Sequence, residues 1–273
     1  MDIYWVILFI VLVSLFIERL VRKLKISSFD QRYVVVTGCD TGFGNMLAKR
    51  LDAMQFHVFA GCFTSKAVTQ LTEECSRNMT AIQVDVSKDA SIEQMLETVK
   101  RKLPEDKVLK EHGRIVNASS VVGRFAAGPA TYVVSKHCVE AFSDVLRREL
   151  YRTGVKVCIV EPGAFKTGIL DPSAQLKRLD NKVNSLPKEI KGKLREDYIS
   201  KSLARFIKDT SHASIKFNEV IDAYIHAIIA RYPLKRYLVG KDANYFMRAL
   251  WLLPECASDF IIDKFSGVDI NKE

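Results

Sequence analysis

The run Thr37-Gly-Cys-Asp-Thr-Gly-Phe-Gly44 restricts what this chain can fold into more than any other feature of its sequence. It follows a β-branched stretch, residues 33–37, and opens a stretch, residues 42–54, in which Phe43, Met46, Leu47, Leu51 and Met54 recur at helical spacing. Strand, glycine turn and helix in that order place backbone N–H groups and a helix N-terminus where they can hold a pyrophosphate. Glycine is needed at such a turn because a side chain would block the approach of the phosphates. The spacing here is Gly-x-x-x-Gly-x-Gly, and a glycine turn without a ligand is the plainer alternative. The strand-then-helix context favours a dinucleotide.

The alternation continues downstream. Strands are expected at 57–60, 81–85, 114–118 and 156–160, and helices at 67–75, 91–103 and 131–151. This pattern predicts a doubly wound, parallel, Rossmann-like α/β sheet. Past Lys177 the chain turns helical and charged, with an apolar helix near 220–229. No linker rich in Gly, Pro or Ser interrupts it, so one folded domain over 30–265 is expected. Its cofactor half would be 30–118, and its catalytic and substrate half 119–265.

Residues 3–17 are apolar except for Ser14, and Arg19, Arg22, Lys23 and Lys25 follow without a small-residue cleavage site. Residues 1–25 therefore read as a retained membrane anchor with a basic flank rather than a removable signal; an amphipathic or core-packing helix is the alternative. Fifteen helical residues rise only about 22 Å, short of a hydrocarbon core of about 30 Å, so Leu20, Val21 and snorkelling arginines must extend the span. Basic residues on the C-terminal side favour a cytosolic catalytic domain. The net charge of +9 is explained by this flank and the lysine-rich stretch after Lys177. No zinc finger, homeodomain or aromatic-interleaved basic patch points to nucleic acid. The six cysteines form no C-x-x-C pair and read as buried thiols; with five histidines and no H-x-x-x-H, no metal site is expected.

Tyr132 and Lys136 stand four apart near the start of the 131–151 helix, so they share one face, and the ammonium can favour phenolate over phenol. Tyr132 then serves as general acid or base on an alcohol oxygen. Ser120, just beyond strand 114–118, can bond the same oxygen and hold its carbon for hydride transfer. Each residue alone has a structural explanation, a helix-surface pair or a capping serine; the three in order behind a dinucleotide loop do not. About 20 positions past the loop an acidic residue would select NAD and an arginine NADP. Gly61-Cys-Phe-Thr64 offers neither, with Lys66 only nearby. Asp85 suits an adenine contact or a helix cap.

T-G-C-D-T-G-F-G at 37–44, V-N-A-S-S-V-V-G at 116–123, Y-V-V-S-K at 132–136 and V-E-P-G at 160–163 resemble the retinol and hydroxysteroid dehydrogenase branch of the short-chain dehydrogenases/reductases. The resemblance extends from the anchor to about residue 265. It implies an endoplasmic-reticulum membrane enzyme that oxidises retinol or 3- and 17-hydroxysteroids, usually with NAD, NADP and a homodimer being left open. Its implied catalytic residues are Ser120, which also binds substrate, Tyr132 and Lys136. Its implied cofactor contacts are Gly38, Asp40, Thr41, Gly42, Phe43, Gly44, Asp85, Val86, Tyr132, Lys136, Pro162, Gly163 and Thr167, the last at the nicotinamide carboxamide. One departure stands out. The family carries an Asn-Asn-Ala-Gly strand and two further helices before the serine strand, with a second catalytic asparagine, whereas here residues 103–113 run almost directly into Arg114. Asn117 replaces neither motif. The sheet is thus expected to lack a central strand beside the one feeding the glycine loop. If strand 114–118 took that slot, Ser120 and the Tyr132 helix would shift by about 4.8 Å, which implies impaired catalysis or folding.

Overall fold

A computed structural model describes residues 3–104, 113–192 and 197–266. Part of the 103–113 stretch, residues 105–112, lies outside them. The first three strands, β1 (Tyr33–Thr37), β2 (His57–Cys62) and β3 (Met79–Gln83), form a parallel sheet in the order β1-β2-β3. All of β2 beyond His57 is buried, as befits an apolar strand paired on both edges. Helices α2 (Gly42–Ala53), α3 (Ser65–Glu74) and α4 (Asp89–Lys102) connect or follow these strands. α2 buries Leu47, Ala48 and Leu51, α3 buries Ala67 and Leu71, and α4 buries Met95 and Val99 against Phe59 and Val84. Of the apolar positions expected on α2, Phe43 and Met46 are only half-buried. Asp52 lies inward instead, accepting from the Ser76 N–H and hydroxyl at 2.9 and 2.7 Å.

The second sheet has the order β4-β5-β6, from β4 (Arg114–Ala118), β5 (Lys156–Pro162) and β6 (Arg236–Val239). The Ile159 N–H donates to Lys235 O and the Gly163 N–H to Val239 O, advancing by four residues on each strand, the mark of a parallel pair. β6 has no counterpart in the sequence reading. Its four residues lie between Lys235 and Gly240, and pairing with β5 makes them a strand. The Rossmann-like class is as expected, but the parallel sheet is not continuous. Among the described residues β1 pairs with β2 alone, and β4 is not bonded to β1. Strand 114–118 therefore keeps its place beside β5 rather than sliding in beside the glycine-loop strand, and Val35 of β1 is 50% exposed.

The chain forms two compact units, each assembled from separate stretches of sequence. The first comprises 1–117, 142–160 and 221–237. Its α1 helix, Ile3–Arg22, runs five residues beyond the apolar stretch read from sequence, because Leu20 and Val21 continue the apolar surface and Glu18 and Arg22 pair across one turn. Twenty residues rise about 30 Å, the length of a membrane core. α1 is apolar enough to cross a membrane, and none of it is buried. Its base is tied down: the Ile26 N–H donates to Ile229 O, the Arg231 N–H to Leu24 O, and His226 Nε2 lies 3.0 Å from Arg22 O. Helix α9 (Phe217–Ile229) ends nearby, and Arg114 caps it, its guanidinium donating to the carbonyls of Ala227, Ile228 and Ala230. Replacing Arg114 with Met leaves three last-turn carbonyls without their charged donor, and should lower unfolding free energy by about 2–3 kcal/mol. Urea denaturation checks this; an unchanged midpoint would contradict the capping role.

The second unit comprises 118–141, 161–220 and 238–273, described as far as residue 266. It holds α6 (Pro172–Asn184), started by Asp171 accepting from the Ala174 N–H, then α7 (Lys188–Lys191) and α8 (Tyr198–Thr210). The C-terminal helices are α10 (Arg248–Leu252) and α11 (Glu255–Ser266). Helix α5 (Ala130–Glu149) starts in this unit and ends in the first. The cysteines correct the sequence reading. Cys39, Cys62 and Cys158 are buried, but Cys138 and Cys256 are exposed. Burial pushes the Cys39 thiol up to about 12 and Cys158 to about 11, leaving both inert.

Candidate active site

In the first unit the glycine loop sits between β1 and α2. Gly38 and Gly42 adopt φ of 71° and 64°, the left-handed region. A Cβ on Gly44 would lie 2.2 Å from Gly38 O, so the helix can start against the turn only because position 44 is bare. This is the cradle a pyrophosphate requires, and the loop fits a dinucleotide on that ground. Two polar side chains hold its shape. Asn45 Nδ2 donates to Cys39 O at 2.9 Å. The Asp40 carboxylate accepts from the Phe63 N–H, the Thr64 N–H and the Thr64 hydroxyl at 2.7–2.9 Å. Asp40 thus clasps the loop to the end of β2. Partial burial works to raise its pKa, but these hydrogen bonds outweigh it and hold the carboxyl below its ordinary 3.8. A depressed folded-state pKa adds stability above the unfolded value and loses it as pH falls through the folded one. Asp40→Asn should therefore be less stable than the parent chain near neutral pH, and the gap should close below about pH 4; a gap independent of pH would refute the clasp's ionic character.

Thr41 precedes α2 without a side-chain cap bond, and Phe43 and Gly44 lie in its first turn. The Asp85 carboxylate accepts from the Ser87 hydroxyl and N–H, which lower its pKa, while its own N–H donates to Ser91 Oγ. Its bonds are those of the local turn before α4. Val86 beside it is exposed.

The second unit carries the expected catalytic side chains. Ser120 follows β4 and begins the short turn Val121–Gly123; it is 7% exposed, and its hydroxyl donates to Pro162 O at 3.2 Å. Tyr132, 36% exposed, and Lys136 lie on α5 one turn apart, with Nζ 5.6 Å from the centre of the phenol ring. Nζ also donates to Ala118 O at 3.1 Å, anchoring the ammonium to the end of β4. Burial lowers the Lys136 pKa, and the Glu140 carboxylate works against that shift. The i, i+4 spacing thus brings Tyr132 and Lys136 together, and Ser120 is held on the carbonyl of the Pro162-Gly163 turn. The Gly163 N–H is used on Val239 O, and the Thr167 N–H donates to Phe165 O at the start of the turn Gly168–Leu170.

Sequence reasoning missed two supports in this unit. Arg124 stacks 3.5 Å from the centre of the Trp251 ring and lies 3.9 Å from the fully buried carboxylate of Glu161, the residue before Pro162. The Asp242 carboxylate accepts from the Ala164 N–H at 2.7 Å, clasping the segment after Gly163. No spacing rule signals either, because the partners are distant in sequence.

The chain belongs to the short-chain dehydrogenase family, whose pattern it matches over residues 32–109 and 103–177. Among curated relatives, it is 34% identical to human 17-beta-hydroxysteroid dehydrogenase type 6 over 286 residues, covering 88% of this chain and 90% of that protein. It is 33% identical to retinol dehydrogenase 7 of Rattus norvegicus, covering 89% and 92%. A crystal structure of a short chain dehydrogenase/reductase from Burkholderia phymatum in complex with NAD shares the fold, with a TM-score of 0.61, 15% identity, and coverage of 82% of this chain and 94% of that one.

Proposed function

We propose that this chain is an NAD(P)-dependent oxidoreductase that interconverts alcohol and carbonyl on a lipophilic substrate, a retinol or a hydroxysteroid. The observation that carries this reading is the Lys136 ammonium held beside the Tyr132 ring on α5. Similarity to a hydroxysteroid and a retinol dehydrogenase supports the substrate class. Gly38, Gly42 and Gly44 would hold the pyrophosphate of a dinucleotide, and the family resemblance implies nicotinamide contacts at Lys136 and Thr167. The bound dinucleotide supplies the hydride acceptor for alcohol oxidation, or the donor for reduction. In the oxidation direction Tyr132 serves as general base for the hydroxyl proton while the carbon–hydrogen bond breaks; in reduction it returns that proton as general acid. Ser120 donates to the substrate oxygen, which requires its hydroxyl to leave Pro162 O. Helix α1 would anchor the protein in the endoplasmic-reticulum membrane, where such substrates partition, with the folded part on the cytosolic side.

A second reading is a catalytically impaired, shortened member of the family. Its support is the interrupted sheet, with β1 and β4 in separate three-stranded sheets. The alignment with the human relative, 286 residues against a chain of 273, is a further support for this reading. An NAD- and NADP-linked screen of the purified full chain against retinol and 3- and 17-hydroxysteroids separates the two. Turnover supports the first; dinucleotide-dependent thermal stabilisation without turnover supports the second.

A further inference from the structure

The segment 241–253 of the second unit turns an unusual set of side chains outward. It runs through a π-helical stretch, Asp242–Met247, directly into α10. Ala243 and Leu250 are buried, whereas Tyr245 is 75% and Leu252 76% exposed, with Phe246 and Leu253 also on the surface. Lys241 and Arg248 are exposed among them. The one acidic residue in the segment, Asp242, directs its carboxylate to the Ala164 N–H. The outward side is therefore apolar and cationic, with a tyrosine on it, the composition of a surface that lies at a lipid headgroup boundary. The neighbouring helix α11 differs: its exposed Phe260 stands between Asp259 and Asp263, which an anionic lipid surface would repel.

We infer that Tyr245, Phe246, Leu252 and Leu253, flanked by Lys241 and Arg248, form a docking surface for a lipid bilayer, separate from α1. The inference rests on the reading of α1 as an anchor, because the tether holds the folded part at a membrane and makes a weak second contact effective. The charge complementarity selects the occupant: within 241–253 there are two exposed cations and no outward carboxylate, the exposed Glu255 lying just beyond at the start of α11, and such a face fits an anionic bilayer surface and does not fit a second copy of itself. The contact should weaken with salt, as exposed charges are screened.

The chain's two tryptophans make the test specific. Trp5 lies in α1, while Trp251 lies within the docking segment, next to Leu252. In the full chain carrying Trp5→Phe, Trp251 becomes the sole reporter. The protein is reconstituted with vesicles of phosphatidylcholine and phosphatidylserine, with and without brominated acyl chains. Flotation reports the anchor. Emission of Trp251 reports the docking, and for a face sunk about 5–10 Å into the headgroup boundary it should drop about two-fold with brominated lipid. Leu252→Glu in the same background should float equally well and lose the quenching; its exposed position spares the fold, which a thermal melt verifies. Flotation with Trp251 unquenched, or quenching that survives Leu252→Glu, overturns the docking surface while leaving the anchor standing. Failure to float overturns the anchor and the docking with it.

Discussion

Tyr132→Phe should lower kcat by about 10²–10⁴-fold, the usual contribution of a positioned general acid or base. The substitution removes one oxygen from a partly exposed side chain, so stability should change by less than about 0.5 kcal/mol. Dinucleotide-induced thermal stabilisation should be retained, because the glycine loop is untouched. The Lys136 ammonium, bonded to Ala118 O, keeps its place without the phenol. The relevant measurement is steady-state dinucleotide reduction with whichever alcohol the chain turns over. Parent-like kcat in the variant would reject Tyr132 as the proton carrier.

Gly44→Ala should abolish dinucleotide-induced stabilisation. The new methyl would fall 2.2 Å from the Gly38 oxygen and 2.8 Å from its carbonyl carbon, both backbone atoms that no side-chain rotation can move. Either the first turn of α2 or the 38–42 turn must shift, at about 1–3 kcal/mol of stability, as overpacking commonly costs. A dinucleotide at about 100-fold its Kd stabilises a protein by about 2.7 kcal/mol. The parent chain should show a gain of that order in a thermal shift assay and the variant none. A variant that binds normally would mean that the loop holds something other than the pyrophosphate, or nothing.

The two substitutions differ in how far the sequence alone prepares for them. The helical spacing of Tyr132 and Lys136 already places both on one face, because 3.6 residues per turn leaves little choice for positions four apart. The tight contact at Gly44 is likewise foreshadowed by the glycine pattern. Asp40 is a different case. Its place in the loop motif marks it as a cofactor contact, but its carboxylate is occupied by the Phe63 and Thr64 N–H groups, over 20 residues away. That partner set exists only once β1 and β2 lie in register. The same holds for Arg114 at the end of α9, Arg124 between Trp251 and Glu161, and Asp242 on Ala164.

By itself, the sequence determined most of the elements and their order: the apolar N-terminal helix, the alternating strands and helices other than β6, and the motifs at their ends that the family resemblance assigns to cofactor and catalysis. Such features follow from local periodicity and from glycine and β-branched residues acting over a few positions. The short stretch before Arg114 leads the sequence reading to expect a missing central strand, and among the described residues the sheet divides between β1 and β4. Only the tertiary structure decided how that interruption is borne. β4 stays paired with β5, which is paired in turn with β6, and the break falls at β1. Strand pairing joins residues far apart in sequence through backbone groups that every residue possesses, so side-chain pattern can propose a strand but cannot choose its neighbour.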